Sequence, residues 1–362
     1  MTRLHDLHAD QGQSPWLDNL RRGWITSGEL QAWVDRGVRG ITSNPSIFQK
    51  AMTGTDAYDD QLRGLVDGGA TIEDSYWALV VRDILDALDI LRPVYDESAG
   101  VDGYVSVEVD PALAPDTNGT MAAARALNQR IGRPNLYVKI PATAEGIPAI
   151  RQMIAEGRSV NVTLIFSLTR YSDVMEAYVA GLEAFEGDLS AVSSVASFFI
   201  SRTDNEVDRR LDDIGTSEAL ALRGRTAVAQ GQVAYDMFLE VFSGARWEAL
   251  AARGARVQRP LWASTSTKNP SYPDTLYVDT LIGPDTVNTL PDATLEAFED
   301  HGTVARTVDA DPAAAHVVLH DVTEVGVDLG DVARVLEEEG VSAFVKSFDE
   351  LLGSLSEKVD SF

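Results

Sequence analysis

The sequence predicts an α/β protein, a TIM (β/α)8 barrel with additional N- and C-terminal helices. Three observations predict it. Short strand-like runs alternate with helical stretches, the pattern of parallel βα units. Eight strand candidates can be counted, and eight such units close into a barrel. Several of those runs carry Asp, Asn, Glu, Lys, Thr or Ser at every second position. An open parallel sheet is covered on both faces, so its strands read as continuous apolar runs. A barrel lumen with an active site at its C-terminal end accommodates the polar alternation instead. An open doubly wound sheet is the alternative architecture.

In chain order, residues 1–14 read as a tail or a capping helix, and residues 16–18 as the first strand candidate, ending on Asp18. Helical spacing over 25–35 puts Leu30, Trp33 and Val34 on one stripe, with Ser27 as N-cap. Residues 38–44 (VRGITSN) form the second strand, and Pro45 starts a helix after Asn44. Residues 53–100 are helical, with a Thr71/Asp74 cap pattern and apolar residues recurring from Tyr76 to Val94. Residues 103–110 alternate valines with Ser106, Glu108 and Asp110. After a helix over 121–131, residues 135–141 (NLYVKIP) put Leu136, Val138 and Ile140 on one face, and Tyr137 and Lys139 on the other. A helix over 145–156 leads to a strand over 159–166, where Asn161 and Thr163 alternate with apolar residues. A helix over 168–185, a strand over 191–201, a long helix over 217–242 and a strand over 260–265 follow. Residues 275–282 read as a helix and 287–290 as the last strand. The remainder is mostly helical, with 331–355 packing across the barrel mouth or flank. With no repeat or linker visible, the expectation is one domain over 1–362: a barrel over about 16–295 and a helical extension over about 296–362.

Composition narrows the function. Thirty basic against 56 acidic residues give a net charge of −26, which argues against nucleic acid and anionic membrane surfaces as partners. A few local cations can still hold an anionic small substrate. There is no cysteine, and the five histidines lack metal-ligand spacing. No apolar run reaches the ~18 residues of a membrane span. The N-terminus is polar without an apolar signal core, so the expected location is cytoplasmic.

Lys139 is the chemically odd residue. A lysine between Val138 and Ile140 is paired, snorkels out, or loses its proton easily, because desolvation disfavours an ammonium ion. The last option makes an amine nucleophile for carbonyl carbons. If the barrel forms, Asp18, Asn44 with Thr42, Glu108, Lys139, Asn161 with Thr163, Ser197 and Ser264 point inward near the C-terminal strand ends. One amine, two carboxylates and several neutral hydrogen-bonding groups are the set that Schiff-base catalysis on a polyol needs.

Four segments in order resemble the transaldolase family. They are Thr42-Ser43-Asn44-Pro45-Ser46, Val105-Ser106-Val107-Glu108-Val109, Tyr137-Val138-Lys139-Ile140-Pro141, and Asn161-Val162-Thr163-Leu164-Ile165-Phe166-Ser167. The resemblance runs from about Asp18 to about Leu290. It implies a cofactor-free, metal-free class I aldolase-type barrel that transfers a dihydroxyacetone unit between phosphorylated sugars, as a monomer or homodimer. By that resemblance Lys139 forms the Schiff base. Glu108 is the acid/base acting through a water that Thr163 helps position. Asp18 is the base for C–C cleavage, and Asn44 and Asn161 bind hydroxyls. Ser197, Phe199 and Arg202 match the family's S-x-F-x-x-R pattern, with Arg202 as phosphate ligand. After the next strand the family shows Ser-x-Arg, whereas this chain has Ser264-Thr265-Ser266-Thr267-Lys268. Ser266 stands at the arginine position, and Lys268 is the substitute charge. Alternatives remain: a lyase of the same fold that releases dihydroxyacetone, and a catalytically silent sugar-phosphate binder. Arg202 also has Asp204 and Glu206 within reach as structural partners. Asn44 is also an ordinary turn residue.

Overall fold

The computed structural model describes residues 2–362. Eight parallel strands close into a barrel in sequence order. They are β1 (Gln13–Leu17), β2 (Gly40–Thr42), β3 (Tyr104–Glu108), β4 (Leu136–Pro141), β5 (Val160–Ile165), β6 (Ser194–Phe199), β7 (Arg259–Ala263) and β8 (Thr286–Leu290). β1 closes the ring against β8, from Gln13 opposite Thr286 to Leu17 opposite Leu290.

Strand parity divides the core. One set of positions, including Val105, Val107, Val138, Ile140 and Val162, packs outward against the surrounding helices. The other set points into the lumen, where Trp16, Tyr104, Tyr137, Val195, Leu261 and Val287 fill the lower part of the barrel. Tyr104 stacks on Tyr137 with ring centroids 4.0 Å apart, and Trp16 lies 6.1 Å beyond. Gly40 makes room for that stack, since a Cβ there would sit 2.4 Å from the Trp16 ring.

Below the aromatics, Asp102 ties the floor of the barrel together. Ser14 Oγ and Arg39 Nε donate to its Oδ2 at 2.8 and 2.7 Å. Arg259 Nη2 and Trp16 Nε1 donate to Oδ1 at 2.8 and 3.3 Å. Burial alone would push this carboxyl up, but Arg259 and Arg39 hold it down at about 2. The network also explains why β1 begins at Gln13 rather than at Trp16. Ser14 and Gln13 are polar yet fully buried: Ser14 bonds Asp102, and Gln13 Nε2 donates to Thr286 on the neighbouring β8 and to the Leu281 carbonyl.

Three helical expectations are corrected. The stretch over 25–35 is two helices, Arg22–Ser27 and Glu29–Asp35, which break at Gly28 with φ +84°. Ser27 therefore ends the first helix, and its Oγ accepts from Glu29 N at 3.3 Å at the start of the second. The long helix over 217–242 is interrupted between Leu220 and Thr226. Gly224 turns with φ +70° there, its N–H bonds Asp208 at 2.9 Å, and the Tyr272 ring fills the space beside it. Residues 275–282 hold only one helical turn, Leu276–Asp279. Elsewhere the caps act as expected: Thr71 Oγ1 accepts from Asp74 N at 3.0 Å and opens the helix Ile72–Glu97. Helices Arg3–Gln11 and Leu329–Asp360 stand at the two ends of the chain. Among the described residues no helix is long and apolar enough to cross a membrane.

Asp102→Asn removes the charge that balances two buried or half-buried arginines and is expected to cost about 3–5 kcal/mol. The pH profile carries a second signature. A depressed carboxyl contributes stability above the ordinary carboxylate range and loses it as the pH falls through the folded value. Between about pH 4 and pH 2 the wild type thus loses about 2 kcal/mol through this group. Thermal melts of both proteins across that window check it, and parallel acid limbs would refute the assignment.

Candidate active site

A cavity of about 730 Å³ opens at the C-terminal end of the barrel. Ten of the twelve residues singled out from the sequence line it. The other two, Glu108 and Asn161, are buried just behind the lining.

Register brings the central group together. In the β3–β4–β5 ladder Glu108 lies opposite Lys139, and Lys139 opposite Asn161. Parallel pairing holds side chains of one parity on one face, so all three point into the lumen at one level. Lys139 is 4% exposed, and its Nζ lies 3.3 Å from Glu108 Oε2. The Nζ also donates to the Ser43 carbonyl at 3.0 Å. The lysine is thus paired with a carboxyl and does not snorkel out to solvent. Glu108 Oε2 makes no aligned hydrogen bond, so the contact is one of charge. Burial pushes the Glu108 carboxyl up, and Lys139 only partly holds it back. Tyr76, Trp77 and Phe348 pack on the far side of Glu108 and keep it dry.

Asn161 is fully buried. Its Nδ2 donates to Ser106 Oγ at 3.0 Å and its Oδ1 accepts from Ser197 Oγ at 2.7 Å. Thr163 follows at the next inward position, and its Oγ1 is buried without a partner in the protein. The chain then takes an irregular step, with Leu164 at φ +58° and a shift in the β5–β6 register.

Asp18 sits one residue past β1, anchored by its own N–H to the Leu290 carbonyl at 2.8 Å. Its Oδ1 accepts from Thr42 Oγ1 at 2.6 Å, and Thr42 is in turn 2.6 Å from Thr289. Burial pushes the Asp18 carboxyl up; the Thr42 bond and the charges of Lys139, Lys50 and Arg202 oppose that. Asn44 is a helix cap at the cavity wall. Its Oδ1 caps the helix Pro45–Met52 through Ile47 N at 3.0 Å, and the residue also lines the cavity.

Arg202 opens the helix Ser201–Ile214 directly after β6. It pairs with neither Asp204 nor Glu206. Asp204 is taken by Ala227 N and the Tyr277 hydroxyl, and Glu206 by Arg209 and Arg210. The guanidinium lies 5.3 Å from the Phe199 ring centroid. Ser264 has φ +55°, and its Oγ lies 3.0 Å from Ser201 Oγ. Lys268 Nζ donates to Ser266 Oγ at 2.6 Å, and both line the cavity.

The arrangement is a buried amine, two carboxyls whose protons are held tightly, a set of neutral hydrogen-bonding groups and a cationic rim. A family model for transaldolases and fructose-6-phosphate aldolases matches residues 15–355. The chain belongs to this family. It is similar to a transaldolase from Thermobifida fusca (strain YX), 54% identical over 97% of each chain. A transaldolase from Parafrankia sp. (strain EAN1pec) is 53% identical over 99% of this chain and 98% of that protein. Transaldolase 1 of Streptomyces coelicolor is 49% identical over 98% of this chain and 94% of its own length. The protein is thus an enzyme of the transaldolase type.

Set against this transaldolase-family site, sequence reasoning missed Ser106, Thr289, Lys50 and Phe344. Ser106 shares the inward parity of Glu108, and Thr289 that of Val287, so alternation alone carried both signals. Lys50 and Phe344 come from helices, and no strand pattern points to them.

Asp18 supplies a stability test. A carboxyl raised by burial favours the folded state below the ordinary carboxylate range and opposes it as the pH rises through the folded value. Asp18→Asn keeps an acceptor for Thr42 and is expected to gain about 1 kcal/mol at pH 8. The gain shrinks as the pH falls towards the ordinary carboxylate range. Melting temperatures across pH 4–8 read it directly, and a pH-independent difference would contradict the burial argument.

Proposed function

We propose that the protein is a transaldolase working through a Schiff base on Lys139. It moves a dihydroxyacetone unit from sedoheptulose 7-phosphate or fructose 6-phosphate to glyceraldehyde 3-phosphate or erythrose 4-phosphate. The observation that carries this reading is the buried Lys139–Glu108 contact at 3.3 Å, opening into a cavity with a cationic rim. The Lys139 amine attacks the ketose C2 carbonyl, forming the C–N bond. Glu108, through a water held by Thr163, gives a proton to the departing hydroxyl, which leaves as water. Asp18 then takes the proton of the C4 hydroxyl. The C3–C4 bond breaks, its electrons pass into the iminium, and an enamine stays on Lys139 while the aldose phosphate departs. The acceptor aldehyde enters and the steps reverse. Asn44 and Asn161 hold hydroxyls of the three-carbon unit, and Thr42, bonded to Asp18, holds that base in place. Ser197, Ser264, Phe199 and Arg202 receive the phosphorylated end, with Lys268 standing in for a second arginine.

Asp18 and Glu108 suit base and acid roles because burial raises their proton affinity. The full 362 residues act as one unit, since Phe344 of the C-terminal helix lines the same cavity. The reaction belongs to the cytoplasmic, non-oxidative pentose phosphate pathway. The matched family model also covers fructose-6-phosphate aldolases, which keeps a lyase as the second reading. Turnover with and without an acceptor aldose separates the two.

Borohydride added to protein with fructose 6-phosphate is expected to leave a reduced three-carbon adduct on Lys139, read by peptide mass spectrometry and missing in Lys139→Ala. A trapped adduct elsewhere, or none, removes Lys139 as nucleophile. Glu108→Gln is expected to lower kcat by about 10²–10⁴-fold, and full activity in that variant would remove Glu108 from the proton path.

A further inference from the structure

Only five of the chain's 30 lysine and arginine residues are lysine. Three of the five, Lys139, Lys50 and Lys268, line the one cavity described above. The other two, Lys346 and Lys358, lie on the C-terminal helix and are paired with Glu350 and Asp59. Lys139 has Glu108. Among the described residues Lys50, Lys268 and Arg202 have no carboxylate oxygen within 4 Å, in a chain whose net charge is −26.

The three come from different sides of the mouth. Lys50 stands in the last turn of the helix that follows β2, Arg202 in the first turn after β6, and Lys268 in the segment after β7. β2 and β6 are four strands apart in the ring of eight, hence on opposite sides of the barrel. Their charges reach one another: burial, then Lys50 and Arg202, hold the Lys268 ammonium below its usual range. Asp18 and Glu339 offset these charges only from a distance, and like charges gathered without a carboxylate in direct contact repel; a multivalent anion between them removes that cost.

We propose that Lys50 is a specificity-determining residue, closing a three-cation ring with Arg202 and Lys268 that holds the substrate phosphate. This rests on the transaldolase reading above. The residue types support it. Arginine fixes an anion in a planar fork, whereas lysine is a point charge on a flexible stem. Two lysines facing one arginine let the phosphate sit at different distances from Lys139, as six- and seven-carbon donors require.

The test compares wild type with Lys50→Met, which keeps the stem, and Lys50→Arg, which keeps the charge. Lys50 is exposed on its helix, so the variants should fold, and circular dichroism verifies this. With fructose 6-phosphate as donor and erythrose 4-phosphate as acceptor, Lys50→Met is expected to raise KM about tenfold, the loss falling on KM rather than kcat. Inhibition by inorganic phosphate weakens in step, and Lys50→Arg recovers most of both. Calorimetric titration with inorganic phosphate reads the ring without turnover. Equal phosphate affinity in wild type and Lys50→Met, or no measurable affinity in wild type, overturns the proposal. A loss confined to kcat also overturns it, since that would place Lys50 with Asp18 in the chemistry. Wild type that binds phosphate but transfers nothing would instead sink the transaldolase reading and leave the ring standing.

Discussion

The contact between Lys139 and Glu108 depends on one constraint, the parallel register of three neighbouring strands. β3, β4 and β5 place Glu108, Lys139 and Asn161 at one level on one face. A slip of a single residue would turn all three toward the helices and bring Val107, Val138 and Val162 into the lumen. Closure of the ring forbids the slip. So does the layer below, where the Trp16, Tyr104 and Tyr137 rings fill the space. Burying an ammonium and a carboxylate is costly even when they are paired. The barrel carries that cost in its lumen because its outward faces bury a continuous apolar core.

The two ends of the barrel treat charge in opposite ways. At the floor, Asp102 receives two arginines, a serine and a tryptophan, and its carboxyl is held down at about 2. Its oxygens have their donors, and such a site has little left to offer a ligand. At the mouth, Asp18 and Glu108 are pushed up, Thr163 Oγ1 has no partner within the protein, and among the described residues Lys50, Lys268 and Arg202 have no carboxylate in direct contact. Strong, unsatisfied polarity in a dry setting is costly for stability and useful for chemistry. The same fold therefore separates a satisfied charge cluster from an unsatisfied one by the height of the strands.

Much of this was legible because strands repeat with period two. Alternation put Tyr137 with Lys139, Ser106 with Glu108 and Asn161 with Thr163, and each pair points inward. The breaks were less legible because they are tertiary. Gly224 interrupts a helical pattern through Asp208 and Tyr272, which are remote in sequence. β1 starts at polar residues because Asp102, before β3, and Thr286, on the neighbouring β8, bond them, and both are remote in sequence. Strand alternation finds groups on strands only, so Lys50 and Phe344 carried no pattern. The rarity of lysine in the chain gains meaning only once three of the five lysines meet in one cavity.

The C-terminal helix Leu329–Asp360 makes the two sides of the mouth into one site. Ser347 bonds Ser46, and Glu350 accepts from Gln49, both on the helix that bears Lys50. Asp331 meets Arg210 on the helix that bears Arg202. Between these anchors the helix passes close over the end of β5. A Cβ at Gly340 would lie 3.1 Å from Leu164 Cδ2 and 3.6 Å from Arg202 Nη1. Leu164 stands there because the chain turns through φ +58° just after Thr163. The irregular step in β5, the small residue on the helix and the placement of Arg202 are thus one packing solution. A larger side chain at position 340 must displace either Leu164 near the end of β5 or the guanidinium at the rim. The helix accordingly braces from one side to the other the two helices that carry Lys50 and Arg202.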